Sequence, residues 1–373
     1  MRHPFAAVLG AVLLLSPLAA RAEEIILGAP LSMTGTYGYI GPDVQKGMQQ
    51  AIDDINASGG AGAGRTLKLL VDDDGSDRNQ SITLARRMAE RDHALAIVGP
   101  NSTVTALAVA PVVNDLKIPM LGIAVSSAVT QAGPWSFHVM APPNLLMTGL
   151  AKYTVDKLKP KTVLTVAGRD NEGAVAQIKA ARAYFEGKVT LLPEESALMS
   201  ETNFSALATK IASLRPDVVM IAMADANAAS LIVQCREAGV EDSTKFVGNN
   251  AQASPSFISI GGAAVEGAYM AADAFPQART DKTAVSFMAD YKAKYKAAPS
   301  QWSAMGYTMI RIMARAIAAT AQPSREALRE QLAKVQGAES LLGRDSFSFD
   351  AAREPSYEPL VLTVKSGAFQ LAP

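Results

Sequence analysis

Side chains able to do covalent or metal chemistry are sparse in this 373-residue chain. Beyond His3, only His93 and His138 carry imidazoles, and neither stands at a metal-ligand spacing such as His-Glu-x-x-His. No Gly-x-Ser-x-Gly elbow occurs and no Cys/His set is present, so nucleophilic catalysis lacks its usual parts. The stretch Ser58-Gly-Gly-Ala-Gly-Ala-Gly64 is glycine-rich, yet it follows a helical pattern and precedes a strand-like one. A phosphate cradle needs the reverse order, because the anion sits on a helix N-terminus. Asp72-Asp-Asp74 reads as a solvated strand end rather than a cation site. Asn101-Ser102-Thr103 is more informative: the apolar run 95–98 leads into it and a helical pattern follows. Hydroxyls at that position either cap their own helix or hold a ligand's carboxylate.

The elements that must position these residues alternate regularly. Short apolar runs at 24–27, 67–71, 95–98, 120–123, 163–166, 189–192, 218–222 and 245–247 predict strands. Amphipathic patterns at 43–56, 79–91, 105–116, 144–158, 171–185, 202–214 and 226–238 predict the helices between them. Continuous apolar strands separated by helices indicate parallel sheets covered on both faces. Four strand–helix units run to about residue 140, and a fresh series starts near Lys161. Met140-Ala-Pro-Pro143 between them is a stiff, extended connection suited to a crossing between lobes. A second break falls at Ala271-Ala-Asp-Ala-Phe-Pro276, after which helices return at 284–297, 302–321 and 324–335 and strands at 345–349, 360–364 and 368–371.

The chain's start predicts export. Arg2 and His3 precede an apolar run over 5–18, and Ala20-Arg21-Ala22 fits a small-x-small cleavage pattern ahead of Glu23. A run of about 14 apolar residues is short of the roughly 20 that span a bilayer, so residues 1–22 are expected to be a secretory signal peptide. No cysteine follows the cleavage site, which argues against a lipid anchor, and the periplasm is the expected location. Cleavage removes Arg2 and Arg21 from 35 basic residues and none of the 35 acids, leaving a net charge of about −2. A near-neutral chain without a basic block argues against nucleic acid and against membrane-surface adhesion. The single cysteine, Cys235, cannot form an intrachain disulfide and sits in an apolar helical pattern, so it reads as a buried thiol.

Several motifs together resemble the leucine/isoleucine/valine-binding protein family. They are Gly28-Ala-Pro-Leu-Ser-Met-Thr-Gly35, Asp43-x-x-x-Gly47, Ala51-Ile-Asp-Asp-Ile-Asn56 and Asp72-Asp-Asp74. Gly99-Pro-Asn-Ser102, Ile118-Pro119, Asp217-Val-Val219, Cys235-Arg-Glu-Ala-Gly239 and Val265-Glu-Gly267 continue the match in order along nearly all of the mature chain. The resemblance implies an α/β fold of two Rossmann-like lobes with parallel sheets, joined by three hinge crossovers, the type I periplasmic binding protein architecture. One lobe would hold 23–141 and 274–350, the other 142–273 and 351–373. The implied function is capture of a small polar solute, a branched-chain amino acid or a related carboxylate or amide, by hinge closure. Delivery to the permease subunits of an ABC transporter in the inner membrane would follow. Such a protein is expected to be a monomer without cofactor or enzymatic activity. A ligand-binding protein serving a sensor or chemoreceptor, or one taking aromatic acids, would share these features. A DNA-linked regulator of the same fold is opposed by the leader and by the absence of a basic helix.

Site residues follow from the same resemblance. Thr103, next to Ser102, aligns with the family's carboxylate-binding serine. Residues Ile123 to Ser126 align with the segment that contacts the α-amino and α-carboxylate groups, and Asp225, Asn250 and Trp302 match cleft positions. Tyr37 and Tyr39 either wall the pocket or stand on a surface loop. Four departures bear on the ligand. Val125 replaces a typical threonine hydroxyl, Asn250 replaces the glutamate that holds an ammonium, and Glu172-Gly173 stands where a tyrosine often precedes the glycine. Ser76 and Ser102 replace the two cysteines of some members. Because a buried ammonium without a carboxylate costs several kcal/mol, either Glu172 or Asp225 supplies that charge or the ligand is not an α-amino acid.

Overall fold

The computed structural model describes residues 23–344 and 346–373. The expected signal peptide, residues 1–22, and Asp345, at the head of one expected strand, lie outside the described residues.

The first lobe is built on β1 (Glu24–Leu31), β2 (Thr66–Asp73), β3 (Ala96–Val98), β4 (Met120–Gly122) and β5 (Ser136–His138). They form one sheet in the order β2-β1-β3-β4-β5, and every pairing is parallel. The helices α1 (Gly41–Ala57), α2 (Arg78–Glu90), α3 (Thr103–Asp115) and α4 (Ala128–Gln131) connect them. All three residues of β3 and of β4 are buried, as continuous apolar strands between two helix layers must be.

The second lobe carries α5 (Pro143–Tyr153), β6 (Thr162–Gly168), α6 (Glu172–Phe185), β7 (Thr190–Leu191), β8 (Glu195–Ala197), α7 (Ser205–Leu214) and β9 (Val218–Ala222). It continues through α8 (Asp225–Glu237), β10 (Lys245–Gly248), α9 (Pro255–Gly261) and β11 (Tyr269–Ala272). After α10 (Lys282–Tyr295), α11 (Gln301–Ala318) and α12 (Arg325–Ala333), the chain forms the small ribbon β12 (Ser348–Phe349) and β13 (Pro355–Ser356). It ends in β14 (Leu360–Lys365) and β15 (Ala368–Leu371). The second sheet runs β15-β14-β11-β10-β9-β6-β7, with β8 also on β6. It is parallel from β7 to β11, whereas β14 and β15 add an antiparallel edge to a sheet expected to be parallel. The reason is local: β14 returns directly beside β11 and hairpins into β15 through Ser366 and Gly367, both at positive φ.

Although α10 and α11 follow the second lobe in sequence, they pack on α1 of the first. That contact explains Gly47 of the Asp43-x-x-x-Gly47 motif: a Cβ there would lie 1.9 Å from the Ser303 carbonyl oxygen of α11. Gly306 of α11 meets Val44 in the same way, at 2.2 Å. Asp43 completes the junction by accepting from the Ser300 hydroxyl at 2.6 Å, just ahead of α11. The chain thus crosses between lobes three times, after β5, after β11 and again before β14. Cys235 is fully buried, and burial pushes its thiol up to about 12, against the opposing charge of Arg236.

Candidate ligand-binding cleft

Two helix N-termini face each other across the cleft. On the first lobe, β3 ends and α3 begins at Thr103, with Ser102 as its cap: the Ser102 hydroxyl accepts from the Thr105 N–H at 3.2 Å. Thr103 and Val104 head the helix, where amide N–H groups have no intrahelical acceptor. The Thr103 hydroxyl accepts from the Val125 N–H at 3.2 Å, which pins the 123–126 segment against α3. Asn101 is fully buried, and its Oδ1 accepts from the Ser32 N–H at 2.6 Å.

Ser32 belongs to the Gly28–Gly35 motif, and its hydroxyl donates to Asp74 at 2.7 Å. Asp73 accepts from the N–H groups of Met33, Thr34 and Gly75. Burial would raise the Asp73 carboxyl, but the Thr34 hydroxyl and these N–H donors hold it below its ordinary value. Asp72 pairs with Arg87. The acidic triplet is therefore a scaffold for the loop that carries Tyr37 and Tyr39, and the expected solvated strand end is corrected at Asp74, which is fully buried. Ser76 supports the same loop, accepting from the Tyr37 N–H at 3.0 Å and donating to the Thr34 carbonyl at 2.7 Å.

On the second lobe, α6 begins at Glu172 with Asn171 as its cap, Oδ1 accepting from the Ala174 N–H at 3.0 Å. Gly173 permits the close approach of the two lobes, because a Cβ there would sit 2.9 Å from Thr103 Oγ1 and 3.0 Å from Val125 Cγ2. Two bonds cross the cleft's edge. Asn171 Nδ2 donates to the Tyr37 hydroxyl at 2.9 Å, and Arg78 pairs with Glu172. Burial lifts the Tyr37 phenol to about 12, with the Asn171 hydrogen bond opposing it. Within the wall, Asn249 Nδ2 donates to Gln177 Oε1 at 2.8 Å and Gln177 Nε2 to Asn250 Oδ1 at 3.2 Å. Asn250 Nδ2 in turn donates to Asp273. From α11, Trp302 closes one side, its ring edge-on to Tyr39 with centroids 6.4 Å apart.

The enclosed space amounts to about 480 Å³ including its mouth, of which about 60 Å³ admits the centre of a water molecule. The smaller figure is the one comparable with ligand pockets of about 300–1,000 Å³, and it lies well below that range. Tyr39, Ser102, Thr103, Ile123, Val125, Asn250 and Trp302 line it, as does Tyr37. Ser126, Glu172 and Asp225 do not. The Ser126 hydroxyl turns back to accept from the Ala128 N–H at 3.3 Å. Glu172 points at Arg78 with about half of each side chain exposed. Asp225 is buried, but the hydroxyls of Ser254 and Ser256 and the Ala226 N–H hold it in its own lobe. The wall also holds Asn101, Asn171, Gln177 and Asn249 together with Met140, Met199 and Met223. Asn101 and Asn171 carry a readable signal, a polar residue at a strand-to-helix junction. The methionines carry none, since only tertiary packing brings them here.

A pair of α/β lobes enclosing one small cavity, with helix N-termini on both sides, defines a ligand-binding protein of the two-lobed class. The family model described as periplasmic binding protein matches residues 24–368, and the chain belongs to that family. An amino acid binding protein of Pseudomonas aeruginosa is 28% identical over 222 residues, a region that spans 58% of this chain and 58% of that protein. Leu/Ile/Val-binding protein homolog 1 of Brucella melitensis is 23% identical over 345 residues, 91% of this chain and 90% of its own. Among solved structures, a leucine-binding protein from Thermotoga maritima superposes with a TM-score of 0.87, covering 94% of this chain and 98% of that one at 22% identity. The structural likeness gives the fold. Among the described residues, no helix is long and apolar enough to cross a membrane.

Proposed function

We propose that the chain is the exported, substrate-binding component of an ABC importer. It captures a small polar solute, a branched-chain amino acid or a related carboxylate or amide, and closes its two lobes around it. Closure would then present a composite surface to the permease subunits. The observation that carries this reading is the cavity between the α3 and α6 N-termini, spanned at its edge by Asn171 to Tyr37 and Arg78 to Glu172. Helix N-termini favour anionic or acceptor groups through their free N–H donors and dipole. Cross-lobe bonds that form only when the lobes meet give ligand a closed state to select. The curated relatives' names point to amino acids as cargo, and the reading extends that class to this cleft. We read the protein as non-enzymatic, because the cavity wall offers no acid–base or nucleophilic pair.

The deciding experiment screens the mature protein by thermal shift against amino acids, short amides, urea and carboxylates, then follows hits by small-angle scattering. A micromolar ligand at millimolar concentration adds about 4 kcal/mol of stability. A stabilising solute should also shrink the radius of gyration, and its uptake should be lost in a deletion strain. Stabilisation without compaction would remove hinge closure, and unchanged uptake would remove the importer role.

A further inference from the structure

Resting on the reading of this cleft as the solute site, we propose that its ligand is a small apolar carboxylate that carries no ammonium group.

Residues of the cavity wall carry hydrogen-bond donors that have no partner. Asn101 Nδ2 is buried without a partner, and its identity as a donor is set by the Ser32 N–H, which must give its hydrogen to Oδ1. Trp302 Nε1, on a residue only 2% exposed, is likewise buried without a partner. Thr103 Oγ1 already accepts from the Val125 N–H, so its own proton is left to donate. These residues line the cavity, Asn101 and Thr103 at the N-terminus of α3, a helix of 13 residues, and Trp302 in the first turn of α11. A buried donor left unmade is costly, so a native site holds these three only if something accepts from them.

The amide acceptors, by contrast, already have partners. The side-chain carbonyl oxygens of the cavity's other amides are each engaged: Asn171 by the Ala174 N–H, Gln177 by Asn249, Asn249 by Gln252 and Asn250 by Gln177. Among the described residues, no carboxylate stands in the cavity wall. The nearby acids are bound elsewhere: Glu172 to Arg78, Asp225 to Ser254 and Ser256, and Asp273 to Tyr357, Asn250 and the Ala141 N–H. An ammonium placed here would be desolvated without an anion in the cavity wall, which is the expensive case. A carboxamide would bring two further donors to a wall already rich in them. A carboxylate offers about four lone-pair sites and no donor, which fits three side-chain donors and a helix end. Ile40, Ile123, Val125, Met140, Met199 and Met223 supply the apolar remainder of the wall, and methionines adapt their shape to a hydrocarbon group.

The test uses skeleton-matched pairs on the purified mature chain: leucine against 4-methylpentanoate, and phenylalanine against phenylacetate, titrated calorimetrically. At least one deaminated acid is expected to bind ten-fold or more tightly than its amino acid. Asn101→Asp keeps the acceptor for Ser32 but turns a donor into a negative charge. It should lower the acid's affinity at least ten-fold and narrow or invert the preference, while the thermal melt without ligand shows the fold intact. Should Asn101→Asp fail to fold, Trp302→Phe, which deletes one donor and keeps a ring, should still weaken the acid several-fold and leave the discrimination against the amino acid in the same direction. Tighter binding of leucine or phenylalanine than of its deaminated partner overturns the inference and leaves the solute-binding reading standing. Binding of none of the four also overturns it. The underlying reading falls only if no solute of the wider panel compacts the protein.

Discussion

The Tyr357 hydroxyl and the Asp273 carboxylate share a hydrogen bond at the point where the three crossings between the lobes converge. Asp273 follows β11 in the second crossing, Tyr357 lies in the third, and the Ala141 N–H of the first donates to both, at 2.8 Å to Tyr357 and 3.2 Å to Asp273. Asp273 also accepts from Asn250, a residue of the cavity wall. One buried carboxylate therefore joins the hinge to the ligand site. Tyr357→Phe removes one donor and one acceptor from this knot and should cost about 1–3 kcal/mol of stability. Urea unfolding measures that loss. Ligand affinity should change as well, because Asp273 also holds Asn250 of the cavity wall; an unaltered affinity would confine the knot to a structural role.

A second tie between crossings predicts how stability depends on acid. His138 Nε2 meets Glu354 at 3.0 Å, and its Nδ1 lies 3.1 Å from the Met140 carbonyl, so both ring nitrogens face acceptors. Burial would raise the Glu354 carboxyl, yet the His138 hydrogen bond and charge, with the Thr130 and Ser127 hydroxyls, hold it below its ordinary 4.5. A depressed carboxyl contributes stability in full above its unfolded value and loses it as pH falls through the folded one. Glu354→Gln should therefore cost about 1–3 kcal/mol at neutral pH and progressively less below about pH 4.5. Denaturant melts at pH 7 and pH 4 check this; an equal cost at both would assign the effect to shape alone. Asp273 acts in the opposite sense, because burial raises its carboxyl against its donors, so the stability it withholds is returned as pH falls.

What the sequence made legible follows from how locally each feature is encoded. Strands with continuous apolar runs, such as β9, declare themselves, and its five residues are all buried. β5 (Ser-Phe-His) and β8 (Glu-Ser-Ala) lack the apolar run that marks β3 and β4 at the same length, and β11 is obscured by the Ala-Asp-Ala-Phe-Pro break that begins at its end. Helix starts are encoded locally too, and the Asn101-Ser102-Thr103 junction is legible from its polar residues between an apolar run and a helical pattern. Glu172 and Asp225 read from the sequence as acids near cleft positions. Their partners lie far along the chain: Arg78 is 94 positions from Glu172 and Ser254 is 29 from Asp225. Composition and spacing carry no trace of such pairings.

Gly173 predicts a separation of stability from binding. In α6 an alanine is favoured over glycine by about 0.5–1 kcal/mol. Its Cβ, however, would press on Thr103 and Val125 of the opposite lobe. Gly173→Ala should leave the ligand-free melt unchanged or slightly raised and weaken binding ten-fold or more, with a larger radius of gyration in the presence of ligand. Undiminished affinity would mean that the lobes need not approach this closely.

Glu172 supplies the converse case, a cross-lobe contact of small energetic weight. Its pair with Arg78 is about half exposed on both sides, so water and salt screen it. Glu172→Gln should change ligand affinity by less than about 1 kcal/mol, the usual ceiling for exposed ion pairs. The difference should fade further as salt is raised. Thr103→Val, which removes a buried hydroxyl at the same cavity, should cost about 1–3 kcal/mol of affinity and resist salt. Calorimetry on both variants at two ionic strengths compares them directly. A large, salt-insensitive loss from Glu172→Gln would return that carboxylate to the ligand site and favour a cationic group on the solute.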